Sequence, residues 1–505
     1  MGLGRGGEME LPKLKRMNRE EIGQVYAQGL SAIIGLVEEL YDQMSAMREV
    51  IGGLSERVKE LETRISKDSH NSHKPPSSDG FKHPLKSLRS ESERRVGGQP
   101  GHEGKTLSLA ERADEVVIHP ARKECHRCGR SLERVAVSGY ERRQVWDIPV
   151  VKMKVVEHRA EIKECPSCGE SLTGEFPLEV SSAVHYGKRV RSIGVYLHQY
   201  QLLPYERTSQ LLEEVFGCSI SPATIEKSVQ ECSTQLEKTE QAIVEGIVRS
   251  DVMNVDETGV VVEEKLNWLH VESTQELTHY EVHEKRGREA TEAIGILPRF
   301  QGSVVHDGWK SYQSYCCRHG LCNAHHLREL TLIEEEYQQS WASKMKELLI
   351  AIKENVEKEK TLGKEQLEEN RKREFIYRYQ TLLEEGFAFN PVTQSDGLQK
   401  RRGRMKQTPA KNLLDRLRSY QDQVLAFMED FRIPFDNNLA ERDLRMMKVQ
   451  QKISGCFRTQ EGAKAFCRIR GYISTMKKQS QNILEAIERV FIGNPFVPSL
   501  ARSPT

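Results

Sequence analysis

The sequence predicts a multidomain protein of mixed α+β and α/β class. Three features support this prediction: an apolar heptad repeat, two matched Cys-x-x-Cys pairs, and short apolar strands followed by long charged helices. The 505 residues are enough for three or four folding units of about 150 residues each. Because the net charge is only +1, any nucleic-acid-binding surface has to be a local cluster of basic residues.

Residues 25–66 are predicted to form a coiled coil that oligomerises the chain, preceded by a tail over residues 1–24. Apolar side chains occupy all eleven seam positions of a heptad repeat that runs from Leu30 to Ile65. This register favours a left-handed coiled coil, because a 3.5-residue period keeps one stripe against a partner helix. An amphipathic helix packed on its own protein is the alternative.

Residues 67–120 are expected to form a flexible linker. They are rich in Pro, Ser, Gly and basic residues, as in the run NSHKPPSSDG at 71–80. This composition lacks core-forming side chains and is typical of a tether. Contacts of the basic residues with phosphates are the alternative, but this composition favours a solvated tether.

Residues 121–175 are predicted to form a DNA-binding zinc ribbon. Two Cys-x-x-Cys turns, each followed by a glycine, offer four thiolates, those of Cys125, Cys128, Cys165 and Cys168. Four thiolates complete a tetrahedral shell, so one bound Zn²⁺ would be structural. The stretch from Glu141 to Glu164 has the β-branched composition of strands. A redox dithiol is the alternative, although it would need only one such pair.

Residues 183–245 are expected to be helical. The stretch 204–229 fits a helix-turn-helix in which Ser221 caps the second helix and Pro222 occupies its first turn. That second helix carries Glu226 and Glu231, which complement DNA poorly, so a packing role is an equal alternative.

Two aspartates end short predicted strands. Asp256 follows the apolar start of the stretch 251–260, and Asp307 ends the strand in 302–309. Carboxylates on neighbouring strand ends can share a hard divalent cation. Ordinary turns would also explain either residue alone.

The third acidic residue of interest is Glu441. The 37 residues that follow it, 442–478, contain ten basic and two acidic residues, a net charge of +8. A carboxylate at the start of a basic helical region suits an enzyme that holds a polyanion beside a metal. The alternative is a helix cap, because Asn438 and Glu441 have capping-box spacing.

The remaining boundaries follow from these elements. Residues 246–332 and 431–480 would form the catalytic core, residues 333–430 a helical insertion, and residues 481–505 a C-terminal tail.

A second basic cluster, at 400–418, carries eight basic residues and one acid. The candidate DNA contacts are Lys448, Lys452, Arg458, Arg401, Arg402 and Arg404.

In this order the motifs resemble the bacterial DDE transposases of the insertion-sequence-66 family. The resemblance spans nearly the whole chain and rests on the coiled coil, the paired cysteines and the motifs KPPSSD, GGQPGHEG, NVDETG, HDGWKSY, CNAHHLREL and PFDNNLAERDLR. It implies a ribonuclease-H-like catalytic domain interrupted by the helical insertion. Asp256, Asp307 and Glu441 fall on its three acidic positions, as catalytic residues and metal ligands.

The resemblance also implies supporting residues next to this triad. Cys322 and His325 match a Cys-x-x-His element that would orient the second aspartate, and Arg445 is assigned a supporting role beside them. A zinc site formed with Cys316 or Cys317 and simple core packing are the alternatives for this element.

The function implied is binding of the inverted-repeat ends of an insertion sequence, followed by DNA cleavage and strand transfer with two Mg²⁺ or Mn²⁺ ions at the triad. The expected partners are transposon-end and target DNA, further copies of the chain, and helper proteins encoded by the element. With no membrane-length apolar stretch, we expect a bacterial cytoplasmic, nucleoid-associated protein. The alternatives are a non-catalytic DNA-binding regulator and a ribonuclease-H-like nuclease without transposition.

Overall fold

The computed structural model describes residues 17–68, 70–72, 107–177, 179–180, 182–391 and 407–498. Its first elements are helices α1 (Arg19–Ala27) and α2 (Leu30–Ile65), separated at Gly29, whose φ of 92° suits glycine. Helix α1 thus begins inside the predicted tail because Asn18 and Glu21 form a capping box. The predicted long helix is confirmed, whereas its pairing as a coiled coil stays a prediction. Among the described residues no helix is both long and apolar enough to cross a membrane.

The cysteine-rich segment contains little regular structure. Strands β1 (Ile162–Glu164) and β2 (Ser171–Thr173) form an antiparallel hairpin around the second cysteine pair. The strands expected from Glu141 onwards are otherwise wrong, because the chain there has no neighbouring strand to accept its backbone hydrogen bonds. Four of the apolar side chains of that stretch, Val145, Ile148, Val150 and Val155, are at least 83% exposed.

The predicted helices of 183–245 are present. They are α3 (Lys188–Val195), which continues as a π-helical turn, α4 (Tyr205–Phe216), α5 (Pro222–Gln235) and α6 (Glu237–Val248). Ser221 caps α5 as expected, with its side chain accepting a hydrogen bond from the Thr224 amide. One face of α5 is buried through Ile225, Val229 and Cys232, so this helix has a packing role in the fold.

A five-stranded mixed sheet forms the centre of the protein. Its strands are β3 (Val252–Val262), β4 (Lys265–Ser273), β5 (Thr278–His283), β6 (Ser303–His306) and β7 (Arg318–Leu321), in the spatial order β5-β4-β3-β6-β7. The first three are antiparallel neighbours, and β6 and β7 run parallel to β3. Between β5 and β6 lies the short helix α7 (Arg288–Ile294). The predicted strand that ends at Asp307 is confirmed. The expected strand end at Asp256 is wrong, because β3 continues to Val262 by pairing with β4.

The predicted insertion is helical and has a core of its own. Its described residues form α8 (Asn323–Tyr337), α9 (Ser340–Thr361), α10 (Glu369–Phe389), α11 (Pro409–Ser419), α12 (Gln421–Val424) and α13 (Ala426–Glu429). Trp341, Tyr379 and Leu414 are fully buried among these helices. The helical unit starts at Asn323, directly after β7, earlier than the expected residue 333.

Three helices follow in the described part of the chain: α14 (Asn438–Ser454), α15 (Gln460–Lys478) and α16 (Ile483–Ile492). Helices α14 and α15 cover one face of the sheet, where Leu444 and Phe466 pack with Val260 and Tyr280. Helix α6 lies on the other face. The expected C-terminal tail from residue 481 is wrong in its first part, because the apolar face of α16 is buried against α15 and α5.

Candidate active site

The three predicted acids come from three elements that meet at one edge of the sheet. Asp256 lies within β3, Asp307 directly follows β6, and Glu441 lies in the first turn of α14. Strands β3 and β6 are parallel neighbours, so their C-terminal ends point the same way. Side chains alternate along a strand, which turns Asp256 to the same face as Val260, the face that α14 covers.

The acids influence one another electrostatically. Burial raises the pKa of Asp256 well above its ordinary value, and the charges of Glu257, Asp307 and Glu441 raise it further. Burial is also the main cause that raises the pKa of Glu441, with Arg445 among the cations that oppose the shift. Carboxylate oxygens are the ligands that Mg²⁺ and Mn²⁺ prefer. In the described residues, however, ligand atoms of these three acids do not all lie within 4.8 Å of one another.

Asn437 joins the elements that carry these acids. Its side chain donates to the Val255 carbonyl at 2.8 Å and accepts from the Asn254 amide at 2.8 Å, both on β3. Its backbone N–H points to Cys322 Sγ at 3.1 Å, after β7. Sequence reasoning missed this role; the only signal was an Asn-Asn pair just ahead of Glu441.

The alternative that made Glu441 a helix-capping residue is wrong. Helix α14 begins at Asn438, which is therefore inside the helix, and no side chain at the preceding position, Asn437, caps it. The Asn437 side chain instead forms hydrogen bonds to β3. No capping box therefore involves Glu441.

Cys322 and His325 lie next to Glu441. One ligand atom from each of the three lies within 4.8 Å of those of the other two, and His325 Nδ1 is 3.9 Å from Glu441 Oε1. Burial raises the pKa of the Cys322 thiol to about 12. Neither Cys316 nor Cys317 belongs to this group, so the zinc alternative that used them is not supported by the described residues.

A second cluster, also missed from sequence, lies on the opposite face of β3. The Glu257 carboxylate accepts hydrogen bonds from Arg286, with an Nη2–Oε1 distance of 2.6 Å, and from the Tyr312 hydroxyl. The Arg286 guanidinium stacks between Trp268 and Trp309, 4.7 and 4.3 Å from their ring centroids. These contacts fix the turn that follows Asp307.

The same turn is held by a buried histidine. The Gly308 amide donates to His306 Nδ1 at 3.0 Å, and His306 Nε2 lies 3.1 Å from His319 Nδ1. Burial lowers the pKa of His306 to about 3, so this imidazole is neutral. Asp307 itself accepts a hydrogen bond from the Trp309 amide at 2.9 Å.

The predicted DNA contacts differ in their surroundings. Lys452 and Arg458 are exposed near the end of α14, whereas Lys448 donates to the Gly259 carbonyl at 3.0 Å. The remaining three, Arg401, Arg402 and Arg404, lie outside the described residues.

Part of the basic stretch 442–478 is not surface charge. Lys478 pairs with Asp443 at 2.9 Å in the interior, and Arg468 pairs with Glu240 at 2.7 Å. Arg470 is buried and donates to the carbonyls of the π-helical turn. The net charge of +8 therefore overstates what this region presents to a polyanion.

The two cysteine pairs form matching knuckles. In each, the glycine after the second cysteine has a φ of 74° and donates its amide to the first cysteine's carbonyl at 2.8 Å. Backbone amides, chiefly those of Arg127 and Ser167, lower the pKa values of the Cys125 and Cys165 thiols. These hydrogen bonds favour the thiolate form, which is the form that binds Zn²⁺. Within the described residues the four sulfur atoms are not brought into one group.

Comparison with known protein families shows to which family this chain belongs. The model described as "Transposase IS66 family" matches residues 184–465, more than half of the chain, and "zinc-finger binding domain of transposase IS66" matches residues 122–169. A family of unknown function matches residues 9–108. The chain therefore belongs to the IS66 family of transposases and carries that family's zinc-finger domain. The comparison with curated proteins gave no match.

Proposed function

We propose that the protein is a DDE-type transposase in which Asp256, Asp307 and Glu441 cut and join DNA strands. The observation that carries this proposal is that β3, β6 and α14 bring three acids, up to 185 residues apart in the sequence, close enough to influence one another electrostatically. The central mixed sheet, with three antiparallel strands beside two parallel ones, supports a ribonuclease-H-like core.

The triad would hold two Mg²⁺ or Mn²⁺ ions, and the cysteines of the two knuckles one structural Zn²⁺. When bound, a pair of such ions activates the attacking oxygen and stabilises the leaving oxygen of a phosphodiester. The chain's own residues position the carboxylates: Asn437 ties the start of α14 to β3, while the contacts of His306 and Trp309 fix the turn around Asp307. The transposon 3′-hydroxyl and the target phosphodiester would then be aligned by the protein for in-line transfer.

DNA recognition would be divided among the other segments. We assign recognition of the terminal inverted repeats to the zinc-finger domain, and phosphate contacts to Lys452 and Arg458, which are exposed beyond the acidic triad. The exposed apolar seam of α2 would pair copies of the chain and thereby bring two transposon ends together. Element-encoded helper proteins are further candidate partners.

The test is a cleavage and joining assay with the zinc-loaded full-length protein, Mg²⁺ and labelled DNA that carries the element's ends. Wild type should nick and join these ends, and Asp256→Asn should bind them without cutting. Asp422→Asn is a matched control, because Asp422 is an exposed acid on α12 in the insertion. It should retain wild-type cleavage.

Other outcomes of this assay would decide against the proposal. DNA binding without cleavage by wild type, even after addition of the helper proteins, would favour a regulator. Cleavage without joining of 3′ ends would favour a nuclease. Equal cleavage by wild type and Asp256→Asn would remove Asp256 from the site.

A further inference from the structure

A second group of metal-ligand side chains shares one residue with the acidic triad. Cys322, His325 and Glu441 are the one group of three or more Cys, His, Asp or Glu residues whose ligand atoms lie within 4.8 Å of one another in the described part of the chain. A sulfur, an imidazole nitrogen and a carboxylate oxygen form a donor set that suits zinc. Magnesium, in contrast, selects oxygen ligands.

The N-terminal ends of α8 and α14 bring these three ligand side chains close together. Cys322 occupies the N-cap position of α8, and His325 follows three residues later in its first turn. The Asn437 amide, at 3.1 Å from Cys322 Sγ, holds the start of α14 beside the cysteine, and Glu441 lies one turn further along. The N-terminal ends of two long helices therefore meet here, and their dipoles favour anionic ligands such as a thiolate and a carboxylate.

The Glu441 carboxylate supplies an independent indication that something is bound. Its Oε1 atom is buried and accepts no hydrogen bond from the described residues. Carboxylate oxygens that are removed from water almost always have a donor or a cation. This oxygen lies on the side of His325, 3.9 Å from Nδ1.

We propose that Cys322, His325 and Glu441 form a zinc site, separate from the four-cysteine site, which withdraws Glu441 from Asp256 and Asp307 when it is occupied. Three protein ligands leave the fourth tetrahedral position to water. On binding, the Cys322 S–H bond breaks, a sulfur–zinc bond forms, and the proton passes to solvent. Zinc binding stands on the geometry alone, whereas the resulting inhibition of DNA cleavage rests on the proposed function.

The direct test uses Co²⁺ as a spectroscopic probe for zinc. Full-length protein whose four-cysteine site already holds zinc is titrated with Co²⁺, and the thiolate-to-cobalt absorption band is recorded. Wild type should bind one further equivalent with this band. Cys322→Ser should lose the band, and His325→Gln and Glu441→Gln should bind Co²⁺ more weakly, on the order of 100-fold. Cys316→Ser, at an exposed cysteine close in sequence, is the matched control and should bind like wild type.

Several results would overturn the site. A wild-type band and affinity in Cys322→Ser would do so, provided that circular dichroism shows the variant to be folded. If that variant does not fold, His325→Gln decides, because His325 is partly exposed and an unchanged cobalt affinity there excludes the site.

Two further measurements separate this proposal from the proposed function. Asp256→Asn should lose DNA cleavage yet keep the cobalt band, since Asp256 is not among the three ligands. Excess zinc should inhibit cleavage by wild type competitively with Mg²⁺, because both ions need Glu441. Inhibition that Mg²⁺ does not relieve would overturn the shared use of Glu441, even if cobalt binds as expected.

Discussion

At Asp256, the proposed catalytic role and the stability of the fold impose opposite requirements on one carboxyl group. Its pKa is raised by burial and by three neighbouring carboxylates, so the folded chain holds the proton more tightly than the unfolded chain does. The raised pKa therefore lowers the stability of the fold as pH rises from the unfolded-state pKa through the folded-state pKa of this carboxyl.

We expect Asp256→Asn to stabilise the protein at pH 7 while abolishing cleavage. Removing the buried charge should raise the melting temperature by roughly 2 °C or more, since one kcal/mol corresponds to about that shift in a domain of this size. Calorimetry in magnesium-free buffer measures it, with Asp422→Asn as the control that should change little. A lower melting temperature for Asp256→Asn would contradict this account of the site.

Asn437 offers a second prediction at the residue scale. Asn437→Ala leaves the Val255 carbonyl and the Asn254 amide without their partner in the interior, which should cost about 2 kcal/mol of unfolding free energy. Asn438→Ala is the matched control, because Asn438 is the exposed neighbour and should cost less than about 0.5 kcal/mol. Denaturant unfolding of both variants makes the comparison. Equal effects would mean that Asn437 does not join α14 to β3.

At the scale of the element, helix α15 contains two adjacent lysines with different roles. Lys478 pairs with Asp443 in the interior and also donates to the Thr274 carbonyl, whereas Lys477 is exposed. Lys478→Met should destabilise the core by about 3 kcal/mol because it strands the Asp443 carboxylate. Lys477→Met should have almost no effect on thermal or denaturant unfolding.

A double-mutant cycle tests whether Lys478 and Asp443 interact directly. In a double-mutant cycle, Asp443→Asn combined with Lys478→Met should be less destabilising than the two single changes added together. Additive effects would show that Lys478 is not paired with Asp443 in solution.

Helix α14 and the turn after it carry two exposed basic side chains, Lys452 and Arg458, that are candidates for DNA contacts. Lys452→Glu combined with Arg458→Glu should weaken DNA binding and reduce the slope of log affinity against log salt by about 2. Lys358→Glu combined with Arg373→Glu, on helices α9 and α10 of the insertion, makes the same charge change elsewhere and serves as the control. Fluorescence anisotropy across a salt series gives both slopes. Equal slopes for the two double variants would place the DNA elsewhere.

At the scale of the whole molecule, self-association depends on α2. Leu40 and Leu54 occupy seam positions and are exposed on this helix. Leu40→Glu combined with Leu54→Glu should convert an oligomer into a monomer, because charges at seam positions prevent knobs-into-holes packing. Light scattering after gel filtration measures the mass. Ser31→Glu combined with Ser45→Glu lies off the seam and should leave the mass unchanged; a constant mass in both variants would exclude the coiled coil.

Local patterns predicted most elements that carry the candidate site. Alternating apolar residues predicted β3 to β6, because the period of a strand is readable over a few residues. The Cys-x-x-Cys-Gly turns likewise predicted two knuckles, since each knuckle is built by its own backbone. The expected strands from Glu141 to Ala160 failed because strand composition has no effect without a neighbouring strand to pair with.

Local sequence patterns did not predict roles that depend on contacts with distant parts of the chain. Glu257 and Asp256 are adjacent acids in one motif, yet alternation along β3 sends one to Arg286 and the other to α14. Lys477 and Lys478 are the same residue type, and only the hydrogen bonds of Lys478 to the turn between β4 and β5 distinguish them.

The sequence by itself determined the order of the segments, the family, the heptad register of α2 and the chemical types of the ligands. Each of these depends on residue identity and short spacings alone. Only the tertiary structure decided that Glu441 lies beside Cys322 and His325 as well as near Asp307, and that Asn437 holds this arrangement. Such contacts join segments more than one hundred residues apart, and burial, which sets their strength, is a property of the folded chain.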